Sequence, residues 1–251
     1  MKIYQRHLAI RINWLVSQLR DAPKASISYQ QRRGELKTII KVWDKNGKLH
    51  SINAETPRGK ELFPIAERNE NYRLQLHELR REWIANYREP IPDWSRRLPV
   101  AKVRNALLTE KAYEEAIPYQ NREYPLDQGL MYKNQIYRSK GEVKLATILD
   151  LIGLDFKYET TVEIGGIKYY PDFLVRQRET GRVIIIEYGG MLENQRYFDR
   201  LMNKKRTYAS IGLLEGADVL YINEYSNSAM EEECIITAIL SALEKDLVIA
   251  A

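Results

Sequence analysis

Two short acidic stretches constrain this chain more than any other part of its sequence. Tyr170-Pro171-Asp172-Phe173 is followed, fifteen residues after Asp172, by Glu187 at the end of a run of valine and three isoleucines. That run is short and β-branched, which predicts a buried strand. A carboxylate at the end of a buried strand costs desolvation energy unless a partner compensates. A divalent cation shared by Asp172 and Glu187 would compensate, because acids on two adjacent strand ends form the oxygen site that Mg²⁺ prefers.

Each acid also has an ordinary interpretation. Asp172 could cap a turn, and Glu187 could pair with an arginine or lysine at the edge of the sheet. For either acid alone the ordinary role is preferred. The two acids together, brought to one point by two strands, favour the metal site.

The composition bounds the class of protein. A chain of 251 residues with 44% hydrophobic side chains can build one large domain or two small ones. Its single cysteine excludes a disulfide framework and a thiolate zinc site within one chain, and its three histidines show no metal-ligand spacing. No apolar run approaches the ~18 residues that span a membrane, and basic residues interrupt the apolar pattern of the N-terminus. We therefore expect a cytoplasmic protein.

Charge is distributed unevenly along the chain. Residues 1–130 hold 24 lysines and arginines against 16 aspartates and glutamates, a balance of +8. Residues 131–251 hold 15 against 18, a balance of −3. A basic region joined to an acidic one suits a polyanion-binding surface beside a metal site. The alternative is that the basic excess is an ordinary solvated surface.

The N-terminal region is predicted to contain a helix, a β-hairpin and a second helix. Residues 2–20 have the apolar spacing of an amphipathic helix. Residues 35–43 and 49–52 alternate loosely on either side of Asn46-Gly47, which is a strong hairpin signal. Residues 58–88 are typical of one long, highly charged helix. Such a helix–hairpin–helix unit could contact DNA or serve as a small accessory domain.

The middle of the chain carries the expected domain boundary. Residues 89–99 hold three prolines and predict a linker or stiff loop, and a short helix is expected at about 100–116. Residues 117–137 have few periodic apolar positions, so the boundary is placed inside this stretch. The chain is thereby divided into a basic N-terminal region, 1–130, and a second domain, 131–251.

The second domain alternates helices and strands. Ser139 followed three residues later by Glu142 is a capping box that opens a helix, and Gly153 ends that helix. The later predicted elements are strands at 155–164, 167–175 and 182–188, a helix at 193–210, a strand at 218–224 and a helix at 229–246. This order predicts an α/β fold with a mixed central sheet flanked by helices.

Over residues 136–225 the sequence resembles the PD-(D/E)xK, or restriction-endonuclease-like, nuclease superfamily. Pro171-Asp172 is similar to the PD element, and Glu187 to the second acid of that pattern. Glu142 matches the acid that many members place beside the metal, although its capping box also explains it fully. The helix and strand order αβββαβ is the core order of that superfamily. The resemblance implies that Asp172, Glu187, Glu142 and the backbone carbonyl near Tyr188 hold Mg²⁺, with Mn²⁺ as an alternative.

The chain departs from the superfamily pattern at one position. The lysine expected two residues after the second acid is replaced by Gly189. The sequence is closer to a branch in which a lysine on the next helix takes over that role. Lys204 fits that branch, because it shares a helix face with Tyr197 and Tyr208, whereas Lys205 would point about 100° away. A solvated surface lysine is the alternative for Lys204.

The resemblance implies metal-dependent hydrolysis of phosphodiester bonds, with DNA as the expected partner. A phage, mobile element or defence system is the expected source. Three alternatives are left open: a degenerate nuclease fold that binds nucleic acid without cutting, an RNA-directed enzyme, and an exonuclease. A homodimer or a protein partner is also left open, and any ATP-driven step would need a partner, because no Walker A glycine loop is present.

Overall fold

The computed structural model describes residues 1–32, 34–101, 107–118, 129–190, 194–223, 231–245 and 247–249. The chain divides into two compact units, Met1–Leu98 and Pro99–Ala250. Within the described ranges, none of the helices has both the length and the apolar character of a bilayer-spanning segment. Parts of the predicted helix 100–116 and of the predicted boundary region 117–137 lie outside the described residues.

The first unit contains two helices and a three-stranded sheet. Its elements are α1 (Ile3–Asp21), β1 (Ala25–Arg32), β2 (Glu35–Trp43), β3 (Leu49–Asn53) and α2 (Pro57–Asn86). The strands are antiparallel in the order β1-β2-β3, and Trp43 pairs with Leu49 across the turn that contains Gly47, whose φ is 77°. The predicted hairpin is therefore confirmed. Strand β1 was not predicted, so the region between the two helices is a sheet rather than a hairpin alone.

Helix α2 is the element that joins the other parts of the first unit. The Thr56 hydroxyl caps it by accepting a hydrogen bond from a first-turn N–H (3.1 Å), and Pro57 occupies the first helical position. Leu79 and Trp83 pack against the apolar face of α1. Ala66 packs against the buried residues of β1 and β2. The two packing regions lie at different heights along the helix, so α2 supports both α1 and the sheet.

The second unit begins with short elements and ends with the main sheet. Its elements are β4 (Pro99–Ala101), α3 (Glu110–Glu115), β5 (Ile117–Pro118), β6 (Leu130–Tyr132), β7 (Gln135–Tyr137), α4 (Lys140–Leu151), β8 (Asp155–Tyr158), β9 (Thr160–Ile164), β10 (Ile167–Tyr169), β11 (Phe173–Gln177), β12 (Arg182–Gly189), α5 (Gln195–Ser210), β13 (Val219–Asn223), α6 (Glu232–Glu244) and β14 (Leu247–Ile249). The α/β class predicted from the sequence is confirmed.

A mixed four-stranded sheet forms the centre of the second unit. Its strand order is β13-β12-β11-β8, with β12 and β13 parallel and the other neighbours antiparallel. Helix α5 connects the parallel pair, as a parallel connection requires a crossover. One face of the sheet contributes Leu174, Val183 and Ile185 to a buried cluster that includes Tyr113 of α3 and Tyr208 of α5. The alternate residues of each strand point to the opposite face.

The predicted strands at 155–164 and 167–175 were each wrong in one respect, because each is two strands. Glu159, with a φ of 40°, divides the first into β8, which joins the main sheet, and β9, which pairs with β5 and β10. Residues 170–172 divide the second, where Pro171 has no N–H to donate to a ladder. Asp172 therefore lies in a bend directly before β11 and not on a strand.

The second unit begins at Pro99, earlier than the boundary predicted inside 117–137. Leu108 and Tyr113 belong to the same buried cluster as the central strands, so this stretch packs with the second unit. The helix predicted at 100–116 is wrong at its start, although residues 102–106 lie outside the described residues. Residues 100 and 101 belong to β4, which pairs with β14, and α3 is the helical part of the described residues in this range.

Candidate active site

The register of the central sheet brings the two predicted acids together. Phe173 pairs with Ile186 on the antiparallel neighbour, so the residue before Phe173 lies beside the residue after Ile186. Asp172 therefore lies next to Glu187. The Asp172 Oδ2 atom accepts a hydrogen bond from the Tyr188 backbone N–H at 2.8 Å, which fixes that carboxylate to the end of β12. The proximity expected from the sequence is confirmed, although the bend, and not a strand, carries Asp172.

Glu187 is a buried carboxylate held by two side chains of α5. Its side chain is 1% exposed. Its Oε1 atom accepts a hydrogen bond from the Tyr208 hydroxyl at 2.7 Å, and its Oε2 atom lies 2.5 Å from the Lys204 Nζ. Burial, followed by the negative charge of Asp172, raises the pKa of Glu187 to about 8, against the opposing effects of Lys204 and Tyr208.

Lys204 reaches both acids of the site. In addition to Glu187, its Nζ lies 3.5 Å from the Asp172 Oδ1 atom. Burial alone would lower the pKa of Lys204, but the two carboxylates outweigh burial and raise the pKa above its ordinary value, so this lysine stays an ammonium. Its charge therefore lies between two carboxylates, in the position that helix spacing predicted.

Lys205 points away from the two acids, as the turn of about 100° between consecutive helix residues predicted. Its Nζ lies 2.6 Å from a carboxylate oxygen of Glu215 and 4.8 Å from the centre of the Tyr221 ring. Tyr208, four residues after Lys204, lies on the same side of α5 as Lys204, since both contact Glu187. The side chain of Tyr197, the third residue of the predicted face, lies outside the described residues.

Glu142 combines a structural role with a position beside the acids. The predicted capping box is present, because the Ser139 hydroxyl accepts from the Glu142 N–H (3.2 Å) and the Glu142 Oε2 accepts from the Ser139 N–H (2.7 Å). Burial, and then the charge of Asp172, raise the pKa of Glu142 against those hydrogen bonds. The charge of Asp172 therefore acts on the carboxyl of Glu142. The capping role of Glu142 is compatible with a position beside the two acids.

A close contact fixes the start of α4 against the end of β12. Tyr188 follows Glu187 and points to the opposite face of the sheet, toward α4. A Cβ atom built on Gly141 would lie 1.5 Å from the Tyr188 hydroxyl oxygen, so a glycine is required at position 141. This contact carries Glu142, the next residue, to the edge of the site. The role of the Tyr188 carbonyl as a metal ligand stays a prediction.

The sequence did not identify the hydrogen bond that Tyr208 donates to Glu187. The residue was placed on the correct helix face, and its spacing of four from Lys204 was the available signal. The sequence also gave no indication of Arg138 and Glu159, which form an ion pair near the acids. These two residues are 21 positions apart, so only the folded structure brings them together.

The donor set can be compared with the needs of a divalent ion. Among the described residues, no group of three or more histidine, cysteine, aspartate or glutamate side chains is arranged to hold a metal. Mg²⁺ is commonly held by one or two carboxylates, with waters and substrate phosphates completing its shell. Asp172 and the buried Glu187 offer such a pair, because the sheet register places their carboxyl groups side by side. The residues present therefore fit a partly hydrated divalent ion.

Comparisons with known proteins assign no family to the chain. No protein-family model, no curated protein and no solved structure matches it. The chemistry of the site is therefore inferred from its residues and their geometry.

Proposed function

We propose that this protein is a metal-dependent DNA endonuclease of the PD-(D/E)xK type. The observation that carries the proposal is the position of Lys204, whose ammonium contacts both Asp172 and Glu187 although the usual lysine position, Gly189, has no side chain. A buried acid pair with a charged lysine is a set of groups suited to phosphoryl transfer.

The order of elements around the site supports the same assignment. Helix α4, strands β8, β11 and β12, helix α5 and strand β13 follow the αβββαβ order of the restriction-endonuclease-like core. Their strand order, β13-β12-β11-β8, places the two acids at the centre of the sheet and Lys204 on the crossover helix. The additional strands β9 and β10 interrupt this order without separating the acids.

In the proposed mechanism each residue has a distinct task. Asp172 and Glu187 would hold a divalent ion, and its chemistry would be to activate a water and to neutralise charge on the scissile phosphate. The Lys204 ammonium binds a non-bridging phosphate oxygen and stabilises the charge that develops there. Tyr208 holds one oxygen of Glu187 and thereby directs the other toward Lys204 and the substrate. The oxygen of a water molecule would form the new phosphorus–oxygen bond as the bond to the leaving sugar oxygen breaks, with the proton of that water passing to solvent and a solvent proton going to the sugar oxygen.

A second candidate function is a nuclease-fold module that binds DNA without cutting it. The observation that favours it is that Lys204 already neutralises part of the acid pair at short distance, so the folded site is satisfied without a metal. In this case Lys204 is a structural counter-ion, and the basic residues of the first unit supply the binding.

A plasmid cleavage assay distinguishes the two functions. Wild-type protein is incubated with supercoiled DNA in Mg²⁺ or in EDTA, beside the variants Asp172→Ala and Glu187→Ala and the control Asp199→Ala, an exposed acid on α5. Nicking or linearisation in Mg²⁺ alone, lost in both site variants and kept in the control, is the expected result. Circular dichroism verifies that each variant is folded. Cleavage by either folded site variant at the wild-type rate would contradict the site, and binding without cleavage by the wild type would favour the second function.

A further inference from the structure

An ion pair at the rim of the candidate active site is built from two residues that the proposed mechanism does not use. Arg138 contacts Glu159 with two nitrogens: Nε meets Oε1, and Nη2 lies 2.9 Å from Oε2. The Arg138 side chain is 36% exposed, whereas the Glu159 side chain is 17% exposed. Arg138 is therefore the more exposed partner of the pair, and Glu159 is the more buried one.

Both partners are fixed to the backbone of the site. The Glu159 N–H donates to the Asp172 carbonyl oxygen at 2.8 Å. Glu159 adopts a φ of 40°, a left-handed conformation that is uncommon for a residue other than glycine. Such a conformation persists only where the surroundings enforce it, and it occurs preferentially at functional positions. Glu159 thus connects the Arg138 guanidinium to the residue that carries one of the two central acids.

The chain on either side of Arg138 is held as firmly. Tyr137 packs its ring 6.3 Å from Phe173, the residue that follows Asp172. Ser139 is the N-cap of α4 and accepts the hydrogen bond from Glu142. The Arg138 N–H donates to the Tyr158 hydroxyl at 3.2 Å. The backbone of Arg138 is therefore positioned relative to Asp172 and Glu142 through separate contacts on each side.

The charges around the site explain why a cation at the rim would be useful. The acids Glu142, Glu159, Asp172 and Glu187 surround the site, with the Lys204 ammonium beside Asp172 and Glu187 and the Arg138 guanidinium beside Glu159 and Glu142. A polyanion that approaches this acidic region is repelled unless positive groups meet it first. A guanidinium forms geometrically specific hydrogen bonds with a phosphate, which makes arginine the preferred residue for this purpose.

We propose that Arg138, oriented by Glu159, binds a backbone phosphate of the DNA that lies next to the scissile one. This inference rests on the proposed nuclease function, and it names the contact that holds the substrate against the acid pair. Arg138 touches substrate, whereas Glu159 is a positioning residue. The alternative is that the ion pair only stabilises the fold.

The test measures DNA binding by the full-length protein in EDTA, where no cleavage occurs. Fluorescence anisotropy with a labelled duplex, from about 50 to about 200 mM salt, gives the dissociation constant and its salt slope. The variants are Arg138→Gln, Arg138→Lys and Glu159→Gln. The control is Arg178→Gln, which removes the same charge from a surface arginine that also forms a two-point ion pair, with Asp155.

Arg138→Gln should weaken binding about 10-fold and reduce the salt slope by about one, because one phosphate contact is lost. Arg138→Lys should keep the slope and lose part of the affinity, since the charge stays but the two-point contact with Glu159 that orients it does not. Glu159→Gln should keep the slope, with a smaller loss of affinity than Arg138→Gln. Arg178→Gln should leave both the affinity and the slope near wild type.

A structural ion pair makes a different prediction. If the ion pair only stabilises the fold, Arg138→Gln and Glu159→Gln should lower the melting temperature equally. The salt slope of DNA binding should then stay at the wild-type value in every variant. That result would overturn the inference. If Arg138→Gln fails to fold, Arg138→Lys decides, because unchanged affinity in that variant would also overturn it. Wild-type protein that binds DNA but does not cut it in Mg²⁺ would overturn the nuclease function. In that case the salt slope of Arg138→Gln would still decide whether Arg138 contacts a phosphate. Absence of DNA binding by the wild type would overturn both.

Discussion

The two units of this chain bury different kinds of polar group. Among the described residues, the buried polar side chains of the first unit are amides, one serine hydroxyl and His7, whereas those of the second include Glu142, Glu187, Arg182 and Asp218. The first unit nevertheless carries the larger formal charge, with 20 lysines and arginines against 11 acids in residues 1–98, a balance of +9. Its charge lies at the surface, where it can meet a polyanion.

Asn13 illustrates how the first unit uses a buried polar side chain. Its amide donates to the carbonyl oxygens of Ala9 and Pro92, and its oxygen accepts from the Trp94 N–H, all at 2.7–2.8 Å. Every bond is internal, so the residue ties the segment around Trp94 to α1. Glu187 differs because its neighbour Asp172 is also an acid. Asn13 thus has matched partners inside the fold, whereas Glu187 is buried beside a like charge, an arrangement that is common at functional sites.

The strand β12 carries both kinds of buried charge and provides the strongest test of this distinction. Near its start Arg182 contacts Asp218 at 3.0 Å, with side chains 7% and 1% exposed, and near its end lies Glu187. Asp218→Ala leaves a buried arginine without its carboxylate, so we expect a loss of about 3–5 kcal/mol in the free energy of unfolding. Denaturant unfolding measures the loss. DNA cleavage per folded molecule should stay near wild type, and a specific loss of cleavage would place Asp218 in the site.

Tyr208→Phe tests the support of Glu187 without removing either acid. The change deletes one hydroxyl whose hydrogen bond to Glu187 is 2.7 Å long. Because a supporting residue orients the group that acts, we expect cleavage to fall by roughly 10–100-fold. A tyrosine that only fills space would lose its hydroxyl without effect on the rate. The cleavage rate at saturating Mg²⁺, with the melting temperature as a check on folding, distinguishes these outcomes.

The smallest predicted effect concerns the surface charge of the first unit. Lys37 and Lys41 point from the same face of β2, the face opposite the Ile40 core position. The double variant Lys37→Ala/Lys41→Ala should weaken DNA binding several-fold and lower the salt slope by about two, if each lysine contacts one phosphate. The matched control is Lys111→Ala/Lys133→Ala, which removes two exposed lysines from the second unit. Equal salt slopes of DNA binding for the two double variants would contradict the claim that the surface charge of the first unit binds DNA.

Local signals in the sequence predicted the elements that form from local chemistry. The hairpin turn at Asn46-Gly47, the capping box at Ser139 and Glu142, and the strand β12 were all confirmed. Strand β1 was missed because only three apolar residues mark its alternation, and its burial comes from the distant Ala66 of α2. The division at Glu159 has no local signal, since it depends on a hydrogen bond with the distant Asp172 backbone.

The candidate site was predictable to the extent that helix and strand periods determine it. The strand pattern placed Glu187, and the helix period selected Lys204 over Lys205. The contact of Arg138 with Glu159 was not predictable, because it depends on how α4 and β8 pack together. The division of the chain was also misplaced, since Leu108 packs into a core whose other members lie far along the sequence.

The most direct measurement compares Lys204→Ala with Lys205→Ala in Mg²⁺-dependent plasmid cleavage. Lys204 contacts both acids, whereas Lys205 contacts Glu215, so the two variants remove the same charge from neighbouring positions. We predict that Lys204→Ala lowers the cleavage rate by about 10²–10³-fold with metal affinity nearly unchanged, and that Lys205→Ala stays near wild type. Equal rates for the two folded variants, or a greater loss in Lys205→Ala, would contradict the assignment of the displaced lysine.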